Sequence, residues 1–99
     1  MSGFRLPHRA ERDLEEIADY IADRNPSAAL REVERLLERF ALLATQPLMG
    51  QLRDDLPDHP RAFSAGNYLV VYQPTVNGIE VAHVVHAARD VASLLRQQG

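Results

Sequence analysis

Residues 61–86 read RAFSAGNYLVVYQPTVNGIEVAHVVH, and two dipeptides inside this stretch decide the fold. Gly66-Asn67 and Asn77-Gly78 each suit a two-residue hairpin turn that needs positive φ. The β-branched and aromatic residues around them predict strands over 61–65 and 68–73 and a third ending near His86, joined as an antiparallel meander. In simple register Phe63 faces Val70, and Val70 faces Val85. One face then carries Phe63, Tyr68, Val70, Tyr72, Ile79, Val81 and Val85, and the other Ala62, Ser64, Leu69, Val71, Ala82, Val84 and His86. Pro74, inside the middle strand, is the expected place for a bulge.

Toward the N-terminus the period changes from two to 3.6. Ala10, Leu14, Ile17, Ala18 and Ile21 form an apolar stripe, while Glu11, Asp13, Glu15, Glu16, Asp19 and Asp23 take the other faces, so a helix is expected from about His8 to Arg24. Asn25-Pro26 supplies an N-cap and a proline preset for a first helical turn. The second stripe is Ala29, Val33, Leu36, Leu37, Phe40, Leu43 and Ala44, closed by Pro47. Helices this closely joined make an antiparallel hairpin. Residues 4–6 form a candidate strand ended by Pro7, and residues 47–60, with three prolines, a glycine and three aspartates, read as an irregular loop. The expected architecture is α+β over one domain, residues 1–99. An N-terminal strand and a helical hairpin pack on a small antiparallel sheet in the order β-α-α-β-β-β, with a short C-terminal helix over residues 90–96.

Both faces of the expected sheet are apolar, yet one helical hairpin covers only one of them. A small antiparallel sheet normally leaves its second face polar. Leu69, Val71, Ala82 and Val84 are therefore expected to meet a partner, with the C-terminal segment shielding some of them.

Composition narrows the function classes. Ninety-nine residues, 45% hydrophobic and 25% charged, describe one globular domain rather than a disordered or fibrous chain. A net charge of −3 fits poorly with coating phosphate backbones. All eleven cations are arginine, so no lysine can serve as general base, Schiff base or phosphate clamp. Without cysteine there is neither a disulfide nor a thiolate metal site. No apolar run approaches the ~20 residues that span a bilayer, and residues 1–12 carry charge throughout with no apolar core of a secretory signal. A cytoplasmic location is the expectation.

Few residues invite chemistry. His83 and His86 are three apart on a strand, where side chains alternate, so they do not close on one ion; no metal and no cofactor is expected. Ser64 and Ser93 lack a nucleophile elbow, and Glu15 and Glu16 sit on a helix face within reach of Arg12. One polar cluster remains, His86-Ala87-Ala88-Arg89-Asp90, with Arg61 and Arg53 upstream. Arg89 and Asp90 either anchor a target or start the last helix, with Asp90 as its N-cap.

Five segments in order, Ala10-x-x-Asp13-Leu14-x-x-Ile17-x-x-Tyr20-Ile21, Asn25-Pro26-x-Ala28-Ala29, Pro47-x-Met49-Gly50-x-x-Arg53, Tyr68-Leu69-Val70-Val71-Tyr72 and Val84-Val85-His86-x-x-Arg89-Asp90, resemble the ParE toxins of the RelE/ParE superfamily. The resemblance implies a bacterial toxin neutralised by a ParD-like antitoxin, with DNA gyrase as the target, trapped with its cleaved DNA, and growth arrest as the result. It does not imply sequence-specific nucleic-acid binding. RelE-type members of the same superfamily cut messenger RNA on the ribosome with lysines and arginines. Where their pattern has arginine after the tyrosine of the middle strand, this chain has Leu69, and the RelE tyrosine near the C-terminus falls at about Leu94. Losing such groups removes charge stabilisation and proton transfer from phosphoryl chemistry. The gyrase inhibitor is therefore the expected class, with Arg89, His86, Arg61 and Arg53 as candidate target contacts and no catalytic residue. The alternatives are a RelE-type ribonuclease and a degenerate member that only binds antitoxin.

Overall fold

The computed structural model describes residues 3–89 and 91–98. Strand β1 (Gly3–Arg5) leads through Pro7 into helix α1 (His8–Ala22), and helix α2 (Pro26–Thr45) follows at once. The Asn25 side chain accepts the Ala28 N–H at 3.1 Å, and Pro26 occupies the first turn, where its missing N–H costs nothing. Strands β2 (Gln51–Leu52), β3 (Arg61–Ala65), β4 (Tyr68–Thr75) and β5 (Gly78–His86) complete the sheet, and helix α3 (Val91–Gln98) crosses its far side.

The α+β architecture and element order agree with the sequence reading, with four differences. The sheet is mixed and five-stranded, ordered β1-β5-β4-β3-β2, because β1 runs parallel to β5. Within the stretch read as an irregular loop, Gln51 and Leu52 pair with β3. The second hairpin turns on Val76-Asn77 rather than Asn77-Gly78. Gly78 already lies in β5 at φ 155°, where any Cβ would collide with the Gly3 carbonyl oxygen.

The fourth difference moves side chains between faces. Pro74 keeps register opposite Ile79, and the bulge falls at Ala82 instead, between the pairs Val71↔His83 and Tyr72↔Val81. One extra residue inverts the alternation beyond it, so Val70 pairs with Val84, not Val85. Val84 consequently joins Val70, Tyr72, Ile79 and Val81 against Leu14, Leu36, Phe40 and Leu43 of the helical hairpin. Phe4 of β1 meets Phe40 edge-on, ring centroids 5.5 Å apart, and ties the outer strand to this core.

Val85 turns to the opposite face. There Val71 and Val85 pack with Leu56 from the β2–β3 loop and Val91 and Leu95 from α3, flanked by Leu69, Ala82, Ala92 and Leu94. The second face is thus covered by the chain itself, which corrects the premise that Leu69, Val71, Ala82 and Val84 lack an internal partner. The N-cap expected at Asp90 lies outside the described residues.

Candidate functional site

The sheet carries two structured corners and, between one of them and α1, an open groove. The first corner is the loop after α2. The buried Tyr72 hydroxyl accepts the Gly50 N–H at 2.9 Å and donates to the Pro47 carbonyl at 2.7 Å. Arg61 donates to the carbonyls of Leu48, 3.2 Å, and Gly50, 2.7 Å. Gly50 is required here, since a Cβ would stand 2.6 Å from the Tyr72 hydroxyl and 3.0 Å from the Ala62 carbonyl oxygen. Arg53 holds Asp55 through two 2.8 Å hydrogen bonds, which raise the pKa of its guanidinium. Leu48, Met49 and Leu52 stand exposed on this corner.

The second corner follows β5. The His86 ring meets Tyr68 edge-on at 5.6 Å, its Nδ1 accepts the Ala88 N–H at 3.1 Å, and its carbonyl accepts the Arg89 N–H at 3.0 Å. Burial, with help from the Glu32 charge, pushes the Tyr68 hydroxyl pKa up. Arg89 is exposed. The four arginine and histidine candidates therefore fall into two groups. Arg53 and Arg61 work as struts at one sheet edge, whereas His86 and Arg89 stand at the end of β5. Arg61 and Ala65 begin and end β3, and His86 lies level with Ala65 through Tyr68, so the groups are separated by about 13 Å along the strands alone.

Two residues gain a role that the sequence reading did not give them. Asp13 of α1, assigned to a solvated face, reaches β5 and accepts the Val84 N–H at 3.0 Å, with His83 Nδ1 4.0 Å away. Burial raises the Asp13 pKa against the lowering by its hydrogen bond from Val84, and burial lowers that of His83 against the opposing pull of Asp13. The signal was present in the spacing: position 13 is three residues after Ala10 and four before Ile17, on the flank of the apolar stripe. Beside this pair a groove of about 720 Å³ runs between α1 and β5, bordered by Arg9, Ile17, Ile21, His86, Arg89 and Leu94. Among the described residues no three His, Asp or Glu side chains converge as a metal site, and no helix is long and apolar enough to cross a membrane.

Residues 4–91 match the family described as the ParE toxin of the type II toxin-antitoxin system parDE. The chain belongs to the ParE toxin family. Toxin RelE3 of Caulobacter vibrioides is 27% identical over 88 residues, covering 88% of this chain and 96% of that toxin. The chromosomal ParDE system of P. aeruginosa contains a chain of similar fold, with a TM-score of 0.71 at 19% identity, over 87% of this chain and 96% of the other. ParE membership makes this chain the toxin of a type II toxin-antitoxin pair.

Proposed function

We propose that this ParE-family chain inhibits DNA gyrase by binding it and trapping its cleavage complex, and that a ParD-like antitoxin encoded beside it neutralises the toxin in the cytoplasm. The observation that carries the choice of target is Leu69. It occupies the position of an arginine in the RelE pattern, on the sheet face where Leu56, Val71, Ala82, Val85, Val91, Ala92, Leu94 and Leu95 pack together. Leu94, at about the place of the RelE tyrosine, lies in the same apolar layer. A scissile phosphate on that face would meet hydrocarbon, where neither charge stabilisation nor proton transfer is supplied. Binding, by contrast, needs only a surface with a few arginine or aromatic anchors. Arg89 and His86 beside Tyr68 provide such anchors at the end of β5.

The similarity to a relative named RelE3 makes the ribonuclease the reading to test against. Purified chain is expected to block supercoiling by gyrase and to accumulate cleaved DNA, and its expression without antitoxin to arrest growth with filamentation. Cleavage of ribosome-bound messenger RNA with gyrase unaffected would overturn the proposal in favour of the RelE-type activity.

A further inference from the structure

Strand β5 is nine residues long, but its outer neighbour is not. β1 pairs only with Gly78, Ile79 and Glu80, because Pro7 and the start of α1 carry the chain away from the sheet after Arg5. From Val81 to His86 no strand lies on the outer side of β5. Val84 gives its N–H to Asp13, so it forms a non-hydrogen-bonded pair with Val70, and the bonded pairs are Val71↔His83 and Leu69↔Val85. By that alternation the Val84 carbonyl and the His86 N–H both point outward, into the groove beside α1. An uncovered strand edge is a template for another strand.

We propose that this edge of β5 is a docking site for an extended segment of the antitoxin, which adds a strand in line with β1 and displaces the Asp13 carboxylate from the Val84 N–H. The inference rests on the reading that the chain pairs with an antitoxin. The unpaired groups are main-chain donors and acceptors spaced along a strand. An extended segment can answer them, while a helix has already satisfied its own. Side chains of an added strand would alternate between Ile17 and Ile21 of α1 on one side and Leu94 of α3 on the other, which calls for apolar residues at successive positions. A second copy of this chain fits badly: among its described residues it has free only its own β5 edge, behind its own α1, and the two-residue β2. Asp13 then acts as a guard, keeping the edge occupied in the free toxin so that it does not pair indiscriminately.

Amide hydrogen exchange on the toxin alone and in complex with the product of the adjacent reading frame tests this. Exchange at Val84 and His86 is expected to slow at least tenfold in the complex, with Val85, already bonded to β4, little changed. Asp13→Ala, which removes the competing acceptor, is expected to tighten the complex by about fivefold, the worth of one hydrogen bond that need no longer be broken. A complex that forms and neutralises the toxin while Val84 and His86 exchange as in the free chain would overturn strand docking alone. Protection confined to Ile17, Ile21 and Leu94 would make the occupant a helix and overturn it equally. Failure of the two proteins to associate would overturn the antitoxin reading and the strand docking with it.

Discussion

Gly50 and Tyr72 show how a single position can hold a loop in place. The Tyr72 hydroxyl sits between the Pro47 carbonyl and the Gly50 N–H, and the backbone approaches so closely that only glycine fits. Gly50→Ala is expected to lower stability by about 1–3 kcal/mol through overpacking against a ring that is fixed by its own hydrogen bonds. Tyr72→Phe should cost a similar amount, about 1–3 kcal/mol, because the buried Gly50 N–H is left without its acceptor. Urea denaturation of the two variants checks both. His83 offers a test by pH. Burial lowers its pKa below the ordinary 6.5, so the folded chain binds this proton more weakly than the unfolded chain. The full stability is present above pH 6.5 and declines as the pH falls through the folded pKa. Asp13 works oppositely: its pKa is raised above 3.8, so its share is fully present below that pH and is lost as the pH climbs through the raised value. Melting temperatures followed downward from pH 7 should fall in the wild type, and His83→Gln should flatten that decline.

At the scale of elements, the bulge and α3 matter most. A single extra residue at Ala82 sends Val84 to the hairpin core and Val85 to the opposite layer, where α3 meets it. Leu95 therefore belongs to the monomer's own core, packed with Leu56, Val71, Val85 and Val91. Leu95→Ala is expected to destabilise the isolated toxin by about 2 kcal/mol or more, the cost of a cavity in a layer already closed. Were that face reserved for a partner, the isolated chain would melt almost unchanged, and calorimetry of the free protein distinguishes the two. The corner before β2 shows the same economy. Arg61 cross-links Leu48 and Gly50 while Arg53 clamps Asp55, so arginines at this edge serve the fold.

Across the whole molecule, the separation of the two arginine groups makes structure and target binding separable by mutation. Arg61→Ala is expected to cost stability, since it withdraws a donor from two carbonyls and loosens the Leu48–Gly50 turn. Arg89→Ala, at an exposed position past β5, should leave the melting temperature nearly unchanged yet weaken gyrase inhibition by about tenfold, or 1.4 kcal/mol. Supercoiling assays run beside thermal melts check the pair. Equal loss of inhibition and stability in Arg89→Ala would return that residue to a structural role.

The helical hairpin was legible from local order alone, because the 3.6-residue stripes, Asn25-Pro26 and Pro47 are signals carried by neighbours in the chain. The β3–β4 hairpin was legible for the same reason: Gly66 adopts φ 62° where the turn demands it, and Phe63 meets Val70 as simple counting expects. Five ordered segments sufficed for the family. What counting along the chain could not supply was every feature that depends on a distant neighbour. The parallel seating of β1 on Gly78, the bulge at Ala82 and the reach of Asp13 to Val84 each answer to residues scores of positions away. Hydrophobicity at Val84 and Val85 is equal, so composition is silent on which faces the hairpin. Only the assembled sheet, where one unpaired residue inverts the alternation and α3 closes over the far layer, assigned each to its side.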